Sequence, residues 1–315
     1  AKASLESYCR QLALELCEYG IAVNSIQAGV TDTPALRKIP GNEEMINNAK
    51  IIGIKINNKN LRYKIPPTFT KDLLGEKILM ISRRSKYLIF YFDKKILLVH
   101  LGMSGKFIIK RTQDSKTFKT SFYYDLNIKK KHNHIYLSLN NGFVLIYNDV
   151  RRFGFFKLYR TKKLNKITFL KKLGLEPLSS AFNLKYFLKF SGKRKKNIKN
   201  LLMDQTFVSG LGNIYVNECL FMSKIHPLRA CNKLQKNEIT NLILSIKKIL
   251  KFSISSGGSS IKDFKNTEGK SGSFQQFFNV YGKTNKECSR NSCVGKIKKI
   301  TISNRSSFYC NKCQN

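Results

Sequence analysis

The chain has 315 residues, 42% of them hydrophobic and 11% aromatic, which excludes an intrinsically disordered protein and supplies at least one full core. Lys and Arg number 58 against 19 Asp and Glu, a net charge of +39 whose field draws polyanions and makes nucleic acid the default partner. No apolar run approaches the roughly 18 residues that span a bilayer. No basic-then-apolar leader stands at the start. The expectation is therefore a cytoplasmic, reduced, monomeric protein without a membrane partner. The chain opens Ala1-Lys2 rather than on Met, as a fragment or a processed form would. Lys, Asn and Ile are abundant throughout, so part of the charge reflects composition rather than function.

Residues 1–48 differ in texture from the rest. Leu5, Cys9, Leu12, Ala13 and Leu16 share one face of an expected helix that Gly20 stops, and "IAVNSIQAG" follows as a short strand. From about Lys50 the pattern is β: "KIIGIKI", "KILMIS", "KYLIFYF", "KILLVHLGM", "HIYLSL", "GFVLIYND" and "FGFFKLYR" are short runs of Ile, Tyr and Phe separated by turn residues. They predict an antiparallel sandwich or barrel. "GLEPLSSAF" at 174–182 reads as a hinge. Helices are expected over 184–190, 197–204, 214–223 and 236–253, followed by a Gly/Ser-rich loop.

Four of the eight cysteines close the chain. Cys288 and Cys293 are separated by four residues and Cys310 and Cys313 by two, with "VGKIKKITISNRSSFY" between the pairs. Alternation of Ile297, Ile300 and Ile302 with polar residues predicts a hairpin. Two Cys pairs at its base supply the four thiolates of a structural Zn2+ site, while Cys9, Cys17, Cys219 and Cys231 read as plain reduced thiols. Such a ribbon presents its tip, Ser303-Asn304-Arg305-Ser306.

Three further stretches carry candidate chemistry. "MDQTFVSGLGNIYVNECLF" places Gly210 and Gly212 before a helix starting at Asn213, where free backbone N–H groups suit a phosphate; an ordinary helix corner is the plain alternative. "HLGMSG" and "NDVRRFGFF" bring Met103, Arg151 and Phe153 to loops between strands, a combination able to fill the gap left by an extruded base. "RRSKYL" sets Lys86 beside two arginines, whose charge would lower its pKa and suit it to proton transfer. His132 and His134 are expected on one face of a strand, where a phosphate or sugar contact is as plausible as a metal.

Taken together, these motifs resemble those of the formamidopyrimidine-DNA glycosylases, bifunctional glycosylase/AP lyases that remove oxidised purines. "RRSKYL", "HLGMSGKF", "NDVRRFG", "LGLEPL", "LLMDQTFVSGLGNIYVNECLF", "GGSSIKDF", "GSFQQFFNVYGK" and the terminal cysteine ribbon stand in that family's order from about Ala49 to Asn315. The resemblance implies an α+β protein: an antiparallel β-sandwich domain, then a helix-two-turn-helix domain with a C-terminal zinc ribbon. The expected divisions are 1–48, 49–178, 179–281 and 282–315. It implies double-stranded DNA with oxidised bases or abasic sites as partner. Lys86 matches a lysine that assists β-elimination, and Arg305 an arginine of δ-elimination. Met103, Arg151 and Phe153 match a void-filling triad. His132, Arg194 and Asn213 match phosphate contacts. Val150 and Asn133 stand where the family has proline and aspartate.

One departure is large. The family uses an N-terminal proline amine, followed by glutamate, as nucleophile and acid/base partner. Here Pro34 and Pro40 are internal amides, and residues 1–46 are similar instead to part of a short-chain dehydrogenase/reductase, without its Gly-rich dinucleotide-binding half. Lesion binding with impaired excision is the resulting expectation, set beside a DNA-binding protein without turnover and an NAD(P)-dependent dehydrogenase.

Overall fold

Short apolar runs punctuated by turns fold as two five-stranded sheets in the computed structural model, which describes residues 23–24, 49–111, 117–118, 129–192, 194–256 and 273–315. One sheet holds β1 (Val23–Asn24), β3 (Met80–Arg84), β4 (Tyr87–Tyr91), β5 (Lys95–His100) and β10 (Phe155–Arg160), in the order β1-β3-β4-β5-β10. The other holds β2 (Ile51–Ile56), β6 (Lys106–Arg111), β7 (Thr117–Phe118), β8 (Asn133–Leu139) and β9 (Phe143–Asn148), in the order β2-β8-β9-β6-β7. Every pairing is antiparallel except β1 with β3, where Val23 lies opposite Ile81 and Asn24 opposite Ser82.

The burial of β5 shows why its sequence is apolar without alternation. Leu97 and Val99 face a core shared with Phe90, Phe107, Leu137, Leu145 and Tyr147. Ile96 and Leu98 face the opposite way, into a second cluster with Ile89, Phe155 and Ile167. Both faces are covered, so every second residue need not be polar. Among the elements not legible as such are two one-turn helices, Phe69–Leu73 and Thr168–Lys171, and the strands β6 and β7. Helix α1 (Phe69–Leu73) is one turn long and is held by burial of Phe69 and Leu73, four residues apart on one side. Strand β6 continues the loop that carries Met103. The helix expected within residues 3–20 lies outside the described residues, and the strand expected after it is seen as β1.

The second half is helical: α2 (Thr168–Lys171), α3 (Leu184–Ser191), α4 (Ile198–Met203), α5 (Asn213–Met222) and α6 (Lys236–Ser255). Their starts are written in the sequence. Asn183 accepts from Tyr186 N at 3.0 Å, and Asn197 accepts from Asn200 N at 2.8 Å. Gln235 and Glu238 form a reciprocal box at the head of α6. Helix α5 is buried from Tyr215 to Phe221 without a polar face, as a central helix must be. It packs against α6 and against a terminal hairpin of β11 (Ile297–Ile302) and β12 (Arg305–Cys310).

The stretch expected to be a hinge is instead a clamp. The Glu176 carboxylate is buried and accepts from Arg83 at 3.2 Å, Arg84 at 2.7 Å and the Ser85 N–H at 2.7 Å. Arg84 also donates to Ser209 Oγ at 2.6 Å and Gly174 O at 2.7 Å, and the Ser209 N–H donates to Leu175 O at 2.8 Å. Strand, linker and helical half therefore meet on one carboxylate. A hinge needs backbone free to rotate, and here it is pinned on both sides.

Candidate active site and nucleic-acid interface

The turn joining β3 to β4 carries Lys86. Ser85 takes φ 56° to make that turn, and Glu176 holds its N–H. Lys86 Nζ donates to Leu211 O at 3.3 Å, the carbonyl just ahead of α5, which also accepts from Gln205 Nε2 at 3.0 Å. Burial lowers the Lys86 pKa to about 8, assisted by the charge of Arg305. The cause differs from the one the sequence suggested. Arg83 and Arg84 both pair with the Glu176 carboxylate, while the arginine acting on Lys86 comes from the far end of the chain.

His100, which the sequence reading passed over, belongs to the same locus. It pairs with Tyr87 across β4 and β5 and stacks on Phe155 at 5.5 Å. Burial lowers its pKa to about 4, with Lys86 and Arg62 adding to the effect. The neutral ring accepts the Gly102 N–H at Nδ1, 3.0 Å away, which leaves Nε2 as a hydrogen-bond donor. The signal available in the sequence was its place at the end of an apolar strand, directly before a glycine loop.

Asp149 assembles the loop pair bearing Met103, Arg151 and Phe153. Fully buried, it accepts from Ser104 Oγ at 2.5 Å, Tyr147 OH at 2.9 Å, Arg151 N at 3.2 Å and Gly154 N at 2.9 Å. Gly102 takes φ +72°, and a Cβ there would lie 2.7 Å from Gly154 N, so the loops touch backbone to backbone. Beyond this anchor Met103 is 53% exposed and Phe153 44%, with the Arg151 guanidinium 4.6 Å over the Phe153 ring. A thioether, an aromatic ring and a cation are thus held in solvent on a rigid base.

The histidine pair is split. His132 lies partly exposed in a 3-10 turn before β8, not on the strand, and burial with flanking lysines lowers its pKa. His134 is buried, with Nε2 2.7 Å from Asp149 O, and so supports the loop. Arg194 is exposed, its guanidinium 5.5 Å over Phe190.

Gly210, at φ +88°, turns the chain into α5, which starts at Gly212 without a side-chain cap and so keeps free N–H groups. Asn213 is committed more than expected: its Nδ2 donates to Ser306 O at 2.9 Å, using one of its two amide N–H groups.

The four terminal cysteines converge, their Sγ atoms all within 4.8 Å of one another, with Cys288–Cys313 at 3.8 Å and Cys293–Cys310 at 3.7 Å. These separations are too long for disulfides and agree with the spacing of about 3.8 Å around a tetrahedral thiolate metal site. The residues fit a bound metal with no open position. The hairpin turns on Ser303 and Asn304, with φ of 46° and 58°, the geometry of a two-residue type I′ turn. Arg305 therefore opens β12, exposed and opposite Ile302. Glu218 ties the ribbon to α5 by accepting from the N–H groups of Asn279, Val280 and Tyr281 at 2.8–3.0 Å. Among the described residues no helix is long and apolar enough to cross a membrane.

Comparison with known proteins follows this layout. The family model described as the formamidopyrimidine-DNA glycosylase N-terminal domain matches residues 38–156, and the corresponding H2TH domain matches 173–265. A match to enoyl-(acyl carrier protein) reductase covers residues 1–52. The formamidopyrimidine-DNA glycosylase of Bartonella tribocorum is 41% identical over 285 residues, covering 87% of this chain and 96% of its own. That of Rickettsia africae is also 41% identical, covering 88% and 98%. Solved structures of Lactococcus lactis Fpg resemble the fold at 33% identity. A mutant complexed with Fapy-dG DNA gives a TM-score of 0.75 and a complex with abasic-site DNA 0.74, each covering 98% of both chains. Sandwich, paired helices, cysteine ribbon and sequence identity over most of the length agree: the chain belongs to the formamidopyrimidine-DNA glycosylase family.

Proposed function

We propose that this chain binds damaged duplex DNA across the face shared by Lys86, the Met103–Phe153 loops, the head of α5 and Arg305, and acts there in base-excision repair. The substrate class is oxidised purines, 8-oxoguanine and formamidopyrimidines, and the abasic sites they leave. The observation that carries this reading is a buried Lys86 bonded to the carbonyl just ahead of an uncapped helix start, with the charge of Arg305 acting on it from 219 positions away, together with an exposed wedge. Met103, Arg151 and Phe153 fill the space of the extruded nucleotide. His132, Arg194 and the free N–H of Asn213 hold phosphates, and His100 offers a further donor.

Chemistry at C1′ requires an unprotonated amine. Attack at C1′ forms a C–N bond as the C1′–base bond breaks and the base leaves with a proton. Opening of the C1′–O4′ bond, with O4′ taking a proton, gives the iminium, and loss of the C2′ proton then breaks the 3′ C–O bond. Lys86, its pKa lowered to about 8, keeps roughly a tenth of its population unprotonated at pH 7, and that fraction can accept the C2′ proton, rising as pH rises. Arg305 is placed to assist the second elimination. Cys288, Cys293, Cys310 and Cys313 would hold a structural Zn2+, which supplies rigidity to the ribbon and no reactive position. The cytoplasm suits these reduced thiols, and a single chain suffices for the site.

A second reading, lesion binding without turnover, is favoured by one observation: residues 1–37 fall inside the reductase match and outside the glycosylase match. Borohydride trapping on 8-oxoguanine and abasic duplexes separates the two. A covalent adduct with strand cleavage establishes the enzyme. Preferential lesion binding with no adduct establishes the binder. Equal affinity for damaged and undamaged duplex removes both.

A further inference from the structure

Lys199 breaks three local rules at once. It is 1% exposed, in the first turn of α4 where the helix dipole opposes a cation, and among the described residues no carboxylate pairs with it. Arg305 stands close enough to add its own charge to burial in lowering the Lys199 pKa to about 8. A side chain held against that much electrostatic opposition has a task, because local inconsistencies in a folded protein gather at functional places.

Its bonds indicate the task. Lys199 Nζ donates to Ser306 O at 3.1 Å and to Ser307 Oγ at 2.5 Å. Asn213 Nδ2 donates to the same Ser306 carbonyl. Two flanking bonds complete the grip: Ser303 Oγ to Asn200 Oδ1 at 3.1 Å, and Phe308 N to Asn217 Oδ1 at 2.8 Å. The ribbon is thus fastened to α4 and α5 at the residues on either side of Arg305, while Arg305 itself is left exposed. The metal site lies at the other end of the hairpin, where Ile297 pairs with Cys310 and thiolate geometry cannot aim the tip.

We propose that Lys199 is the positioning residue for Arg305: a buried ammonium on the helix pair that fixes the ribbon tip and so aims its arginine at a DNA phosphate. The inference rests on the DNA-binding reading above and deepens it, because it makes the helix pair and the ribbon one phosphate-reading unit. It also accounts for the missing counter-ion. A carboxylate at this point would neutralise Arg305 as well, whereas the backbone phosphate supplies the negative charge when DNA arrives.

The test is a double-mutant cycle on the full zinc-loaded chain, reading fluorescence anisotropy on a duplex with a tetrahydrofuran abasic analogue and on the same duplex undamaged. Arg305→Ala should weaken binding about tenfold and reduce the salt slope by about one. Lys199→Met should do the same although its own charge is buried, and the double variant should be no weaker than Arg305→Ala alone. Zinc content and thermal midpoint identify a variant that has lost its ribbon. In that case Ser307→Ala, which removes the shorter Lys199 bond and the long 3.5 Å bond from Ser307 Oγ to Arg305 O but leaves Lys199 on the Ser306 carbonyl, is read instead, and should shift affinity and slope in the same direction by less. Additive losses, an unchanged salt slope for Lys199→Met, or an Arg305→Ala variant that binds normally would each overturn the proposal. A wild-type chain that fails to prefer the abasic duplex counts against the DNA-damage reading alone, since the cycle is decided equally on undamaged DNA.

Discussion

Single buried side chains carry much of the site. Glu176 accepts hydrogen bonds from two arginines and a backbone N–H, so its removal strands two cations and loosens the Lys86 turn. Glu176→Ala should cost about 3–5 kcal/mol, read as a shift in urea midpoint, and should weaken lesion binding with it. His100 gives a pH signature. Its folded pKa of about 4 lies below the ordinary 6.5, so between those values the unfolded chain binds a proton that the folded chain lacks. Stability from this group therefore rises from pH 4 to pH 6.5 and is level above. The gain is at most about 3 kcal/mol, less for the water that reaches the ring. His100→Phe keeps the stack on Phe155 and should flatten this part of the profile relative to wild type in urea melts at pH 4.5 and 7.

At the scale of elements the terminal ribbon is the weakest independent unit. Its apolar cluster consists of Phe221, Val280, Ile297 and Phe308 with two of the cysteines, too little to fold a hairpin unaided. Removing the metal with a strong chelator should melt the ribbon while the sandwich and helical cores stay folded. Circular dichroism should keep most of its signal, and lesion affinity should fall to the level of an Arg305→Ala variant or below. Retained affinity in a verified metal-free sample would show that the helix pair and wedge suffice without the tip. The clamp at Glu176 acts oppositely on its elements: its hydrogen bonds join strand, linker 174–176 and helical half.

For the molecule as a whole, charge sets the strength of association and the site sets its selectivity. With a net charge of +39, affinity for any duplex should fall steeply with salt, about a thousandfold between 50 and 200 mM for about six phosphate contacts. The ratio of damaged to undamaged affinity should change far less over that range, because Met103 and Phe153 contribute apolar contact rather than counterion release and Arg151 is one charge among many. Titrations of both duplexes at three salt concentrations check this. A ratio that collapses with salt would place lesion recognition in the cationic surface instead of Met103, Arg151 and Phe153.

Sequence by itself determined what depends on local chemistry. Strand runs, the four longest helices, the glycines at 210 and 212, and the spacing of four thiols each act within a few residues, so each could be read before any coordinates. The tertiary structure alone decided which distant charges meet. Arg83 and Arg84 lie close to Lys86 in the chain yet both pair with Glu176, whereas the charge of Arg305 acts on it from the other end. His100 and Lys199 gave no periodic signal, because their importance lies in burial and in neighbours that only folding supplies. Coulomb energy depends on distance and on the exclusion of water, and neither is a property of position along a chain.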